Sequence, residues 1–260
     1  MLALKLSLTP ILILLASLAG RRWGETIGGW IVGLPLTSGP VAFFLTLDQG
    51  PAFAAQAAAG SLAGTTAEAC FAVGYGLAAT HMDWPLAFLV GAAIFALAGA
   101  VLQALALPHL ILFVIALTAL TLGLRVLPSP KARRTVAALP AWDLPARMLV
   151  TTTLVVSVTA AAAALGPRLS GLLATFPIFA AVLTLFAHHI QGADAAHQVL
   201  RGLLLGLYGF AVFFIVLSQL LPRVSIAAAF VGAGLAAMLV QGVSFRMMRW
   251  GRSGRVRAEP

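Results

Sequence analysis

The sequence predicts an all-α polytopic membrane protein of about nine transmembrane helices, built as a 4+1+4 inverted repeat. Three observations lead there. Hydrophobic residues make up 61% of the 260-residue chain and charged residues 9%, with a mean hydropathy of +1.03. A water-soluble domain carries about 25% charged residues, so this chain is solvated by lipid. Apolar runs of about 20 residues recur between stretches of Gly, Pro and charge, the length that crosses a bilayer as a helix. Spanning strands would be shorter and would alternate in polarity, and the sequence has no such pattern. Finally, residues 24–71 align on residues 166–213 without a gap, at a constant offset of 142. Gly24 falls on Gly166, Gly29 on Gly171, Pro35 on Pro177, Phe44 on Phe186, Gln49-Gly50 on Gln191-Gly192, and Gln56 on Gln198. Gly60 and Gly64 fall on Gly202 and Gly206, and Phe71 on Phe213. Matches at Gln, Pro and Gly carry backbone and hydrogen-bond consequences that chance matches at Leu and Ala would not.

The first helix is expected at 2–19. Lys5 ahead of it and small residues behind it would suit a secretion signal. Arg21 and Arg22 follow the run directly, as they do after a retained span, and the offset carries Lys5 onto Arg147. A retained helix is therefore expected. The second, 27–47, holds Pro35 and Pro40 near its middle, so it is interrupted. The third (52–80) follows the break at 48–51. The fourth (85–106) and fifth (109–127) are separated by a tight turn at Pro108, because 84–127 is too long for one helix at about 1.5 Å per residue. The sixth to ninth are expected at 147–165, 170–190, 195–220 and 224–245.

These elements group into a first four-helix repeat (1–107), a linking helix (108–127), a basic linker (128–146), a second repeat (147–245) and a basic tail (246–260). With nine helices, one membrane face receives Arg21, Arg22, Arg125, Lys131, Arg133, Arg134, Arg147, Arg201 and the tail arginines. The other receives only Lys5, Arg168 and Arg223. That bias puts the amino terminus outside and the carboxyl terminus in the cytoplasm, in a bacterial inner membrane. The odd linking helix makes the second repeat cross in the opposite sense to the first.

The net charge of +9 does not mark a nucleic-acid binder, because the basic residues sit between apolar runs and in the tail. The tail suits attachment to anionic lipid. Cys70 is the only cysteine, so there is neither an internal disulfide nor a cysteine metal site. No nucleotide-binding loop is present, and no cofactor is expected.

Gly-Leu-Pro-Leu-Thr-Ser at 33–38 and Leu-Leu-Ala-Thr-Phe-Pro-Ile-Phe-Ala at 172–180, followed by His188-His189-Ile190-Gln191-Gly192, resemble the GlpM-like and DUF3147-like bacterial membrane proteins. Those are small inner-membrane proteins of about one repeat unit, without a settled biochemical activity. The resemblance implies a fused duplication and supplies no substrate. The first half departs from it by lacking histidines where the second has His188 and His189.

Candidate site residues follow from polarity in the wrong solvent. Pro35, Pro40 and, in the second repeat, Pro177 free backbone carbonyls that cost several kcal/mol each in lipid unless buried in protein or facing water. Thr37 and Ser38 offer hydroxyls at the same depth. Paired interruptions at mid-span mark a central site in many transporters, although kinks that only improve packing are common. Glu68 is the one carboxylate expected deep in a span, where it must face the bundle. It is read as a proton or cation handle, against a purely structural acid. Gln56 and Gln198 begin equivalent helices, each followed by Gly after four and eight residues, which suits close packing and leaves cavity lining open. Asp194, His197 and Arg201 recur at helical spacing near His188 and His189. Arg201 with His197 could receive an anion, and the simpler reading is a snorkelling interfacial loop. The expected function is a secondary transporter of a small solute, coupled to protons or cations, and not an enzyme. The alternatives are a non-transporting membrane subunit that scaffolds an envelope process, and an intramembrane metal-dependent enzyme. The expected partners are the bilayer and an unspecified small molecule or ion; the oligomeric state is open.

Overall fold

A computed structural model describes residues 2–36, 38–129, 140, 142–157 and 176–256, with side chains placed from 9 to 246. All regular structure there is helical: α1 (Leu2–Trp23), α2 (Glu25–Val32), α3 (Ser38–Gln49), α4 (Pro51–Ala78), α5 (Trp84–Leu105), α6 (His109–Val126), α7 (143–157), α8 (Ile178–Gln191), α9 (Ala193–Leu220) and α10 (Ile226–Val256). The chain is a helical, multi-pass membrane protein. Among the described residues four helices are long and apolar enough to cross a bilayer: Trp84–Leu105, His109–Val126, Ala193–Leu220 and Ile226–Arg246. The outer faces of α5, α6 and α10 present Leu97, Leu110, Val231 and Leu239, each at least 60% exposed, as lipid-facing side chains should be. α4 is as long as α9, but its Ala, Gly, Ser and Thr make it less apolar; its bulk is buried inside the bundle.

Turn chemistry sets the helix ends. Gly50 and Gly192 adopt φ +87° and +90°, a region that favours glycine, and each lets one helix stop and the next begin within a single residue. Ala106 (φ 43°) and Pro108 separate α5 from α6, so 84–127 is two helices rather than one with a re-entrant segment. Helix bounds recur at the alignment offset: α4 and α9 are both 28 residues long, α3 and α8 end at Gln49 and Gln191, and α5 and α10 start at Trp84 and Ile226.

Three boundaries need correction. α1 runs on through Arg21 and Arg22 to Trp23, because arginines propagate a helix well and Gly20 packs against α2 without breaking it. The stretch expected as a tail is helical to Val256, since Met, Arg and Trp after the last apolar turn form a helix as readily as a coil. The linker ends early: α7 begins at 143, with Pro145 tolerated in its first turn.

α9 is the central helix, packed against α2, α4, α6, α8 and α10. It runs antiparallel to α4: His197 near its start meets Gly76 near the end of α4, while Phe213 and Leu217 near its end share a core with Ala58 and Leu62 near the start of α4. The ends of α1, α4, α6 and α8 therefore lie with the starts of α2, α5, α7 and α9, here called the histidine end. The turns 49–51, 105–109 and 220–226 form the far end. A second core gathers Phe71, Tyr75, Phe95, Leu200 and Leu204, with Phe176 edge-on to Phe71, Phe88 and Phe95.

Candidate functional site

The second traverse is broken. α2 ends at Val32, the chain turns through Gly33, Leu34, Pro35 and Leu36, and α3 starts at Ser38. Pro35 has no N–H to continue α2, and its carbonyl is retaken by Gly39 N–H at 2.9 Å. Thr37 lies outside the described residues. Ser38, half-buried, has a buried Oγ with no partner, and Pro40 is half-buried in the first turn of α3. The break lies against the middle of α9. A Cβ on Gly33 would sit 2.8 Å from the Gly206 Cα, and Gly206 is the fourteenth of the 28 residues of α9. One turn earlier, Gly29 meets the Val199 carbonyl and Gly202 the Thr26 carbonyl, so the two backbones touch with nothing between them. Gln241 of α10 donates to the Gly206 carbonyl at 2.5 Å, while Trp30 donates to Ser244 at 3.2 Å.

Pro177 is buried and opens α8 directly. Residues 172–175 of the motif, including Thr175, fall outside the described residues. A small crevice beside the break is lined by Leu12, Ile31, Val32, Leu34, Leu36 and Phe179 and encloses about 20 Å³, room for roughly one water. Neither Glu68 nor the prolines line it.

Glu68 sits mid-way along α4 and is partly buried. Ser61, Thr65, Ala72 and Tyr75 share its side of the helix at intervals of three and four residues, with the apolar Ala72 between Glu68 and Tyr75. Thr65 donates to its own Ser61 carbonyl at 2.9 Å, and the Tyr75 hydroxyl lies 3.0 Å from His188 Nδ1. Tyr75 lies at the histidine end, about 10 Å along the axis from Glu68, while Ser61 and Thr65 lie on the far-end side of it.

At that end His197 is 3% exposed and donates from Nε2 to the Gly76 carbonyl at 2.8 Å. A carbonyl can only accept, so Nε2 is the donor, and Nδ1 is buried with no hydrogen-bond partner. Arg201, half-buried, donates to the Leu127 carbonyl at 2.9 Å, which ties the start of α9 to the end of α6. His189 stacks edge-on against Trp84. The structure thus brings His197, His188 and Tyr75 together and keeps them away from the break. Among the described residues no three His, Cys, Asp or Glu side chains converge as a metal site would require. Gln56 is exposed and Gln198 half-buried; they lie towards opposite ends, because α4 and α9 run in opposite directions.

Sequence reasoning placed Glu68 as the one deep acid, yet two other carboxylates are more buried. Asp143 is 0% exposed and binds Arg21 and Arg147, each at 2.8 Å. Arg147 is 2% exposed and also lies over the Phe186 ring at 5.3 Å. Glu25 is 7% exposed and accepts from Gln191 at 2.9 Å. Only the offset pairing of Gln49 with Gln191 hinted that Gln191 had a structural task. Comparison with protein-family models, with curated proteins and with solved structures finds no match for this chain.

Proposed function

We propose that the chain is a proton- or cation-coupled secondary transporter of a small solute, in a bacterial inner membrane with its amino terminus outside. In this reading it is a fused duplication of a GlpM-like unit, nine traverses in all, with the broken α2–α3 pair counted as one. The 142-residue recurrence of helix bounds supports the duplication, and the odd α6 between the copies supports their opposed orientation.

One observation carries the reading: a helix interrupted at Gly33–Leu36 against the midpoint of the central helix, a place where lipid-exposed irregular backbone is not tolerated. The break and its Ser38 hydroxyl would contact solute. Glu68 would carry the coupling ion, on the side of α4 that Tyr75 and His188 close at the cytoplasmic end. His197 and Arg201 hold the frame, and Gln56 and Gln198 stay outside the site.

A second reading, a non-transporting subunit that organises an envelope process, is favoured by the close-packed crossing of α2 and α9 and by the apolar crevice beside it. The two readings separate in proteoliposomes loaded with a pH dye. Panels of carboxylates, amines, amino acids and sugars are added under an imposed proton gradient. Transport predicts that one class evokes proton movement, and that Glu68→Gln abolishes it while the protein stays monodisperse. Full evoked flux in Glu68→Gln would remove the coupling role. No flux with any class, together with a stoichiometric membrane partner, would favour the second reading.

A further inference from the structure

α1 has two unlike faces. Ile13, Ala16 and Ala19 are buried in the bundle, while Ile11, Leu15 and Leu18 are each about half exposed. The exposed three recur at intervals of four and three residues, and a further step of four reaches Arg22. Arg21 stands beside it, three residues beyond Leu18, and both arginines are exposed. From Ile11 to Arg22 this stripe rises about 16 Å. That is about one leaflet of a hydrocarbon core roughly 30 Å thick. Its charged end is the histidine end, where the spanning helices α5 and α9 begin and α6 finishes. The two guanidinium groups therefore sit at the depth of the lipid headgroups, with apolar side chains leading away from them into the bilayer.

The acid at this end does not neutralise them. Asp143 Oδ2 accepts from Arg21 Nη2 and its Oδ1 from Arg147 Nε, both at 2.8 Å. One carboxylate thus serves two guanidinium groups, of which Arg147 is the buried one. Arg21 is engaged through Nη2 alone among the described residues, and Arg22 has no ion pair among them. Arginine stays charged in proteins, so three positive groups stand against one acid. Glu25 lies on the inner side of α1, beside Gly20, and accepts from Gln191. Counting it as a full negative charge would still leave the arginines in excess. Trp142, next to Asp143 in the chain, is 53% exposed, as an aromatic ring at the membrane surface should be.

The geometry points to a docking site for one anionic phospholipid on the outer face of α1. Arg21 and Arg22 hold its headgroup phosphate, and one acyl chain lies along Leu18, Leu15 and Ile11. The apolar stripe alone would accept any lipid of the bilayer; the charge at its end selects among them. A guanidinium fork matches two phosphate oxygens at once. A zwitterionic headgroup carries its own cation, which the arginines repel. A free phosphate ion gains nothing from the stripe. This site is separate from Glu68 and from the basic tail, and it stands whether or not the protein transports a solute.

The test is native mass spectrometry of the purified full chain, released from micelles that hold equal amounts of phosphatidylglycerol and phosphatidylcholine with the same acyl chains. One phosphatidylglycerol per chain is expected to be retained in preference to phosphatidylcholine. Arg22→Gln, which breaks no ion pair among the described residues, should cut that preference about fivefold, the factor for one arginine lost at a lipid surface. Arg21→Gln should cut it at least as far. Changing Arg252, Arg255 and Arg257 together to Gln should leave it intact, and glycerol phosphate, a headgroup without chains, should not displace the lipid. Equal retention of the two lipids would overturn the proposal, as would an undiminished preference in Arg22→Gln. Loss of the preference with the tail arginines would move the binding to the tail, and displacement by glycerol phosphate would make the site one for a soluble anion; either result overturns lipid docking on α1.

Discussion

The two ends of the bundle are built from matching helix ends, and they are held together differently. At the histidine end polar ties cross between helices: Arg21–Asp143–Arg147 joins α1 to α7, Glu25–Gln191 joins α2 to α8, Tyr75–His188 joins α4 to α8, and His197–Gly76 and Arg201–Leu127 join α9 to α4 and α6. At the far end, among the described residues, His109 donating to the Ala55 carbonyl at 2.8 Å is the one comparable tie, and the rest is aromatic and aliphatic contact such as Phe43 and Phe213 edge-on to Phe230. Ala55 stands 142 residues before His197, so corresponding positions carry a bare carbonyl at one end and a fixed imidazole at the other. Hydrogen-bonded ties demand one geometry, whereas apolar contacts in lipid tolerate sliding. The histidine end is therefore the rigid end, and the far end is where separation costs less.

Substitutions can test this contrast directly. Asp143→Ala leaves two arginines, one of them 2% exposed, without their carboxylate; it should destabilise the protein by about 3–5 kcal/mol in denaturant unfolding. A near-neutral result would mean that the ties are decoration. Gly202→Ala drives a methyl group into the Thr26 carbonyl and should cost about 1–3 kcal/mol, while its counterpart Gly60→Ala meets nothing and should be neutral or slightly stabilising. Equal effects in the two would show that the repeats pack alike. Tyr75→Phe removes one hydroxyl at the rigid end, for about 1 kcal/mol. His109→Phe should cost no more than that, and hydrogen exchange should show greater loosening at the far end than at the histidine end. Faster exchange at the start of α9 than at the start of α4 in the unmodified protein would invert the assignment.

Much of this frame was legible in the sequence, because lipid makes polarity and backbone breaks costly. Gly50, Gly192 and Pro108 marked true helix ends, and Pro35 marked a true interruption. The candidate site was read less well. Gln56 and Gln198 matched in register yet point to different surroundings, since a repeat in sequence does not say which copy's neighbours are present. Asp143 and Glu25 lie in stretches that read as connections; Arg147 is a local partner of Asp143, but Arg21 and Gln191 stand 122 and 166 residues away from Asp143 and Glu25 along the chain. No local pattern announces the distant pairs. Periodicity finds the face of a helix and is silent about which helix will meet it.

The bare crossing of α2 with α9 has a consequence for how the protein can be made. α2 belongs to the first half of the chain, and its backbone is seated in a groove cut into the principal helix of the second. Each half thus contains a vacancy shaped for the other. A gene split within 130–139 should yield two fragments that are degraded when produced singly and that clasp into one particle when produced together.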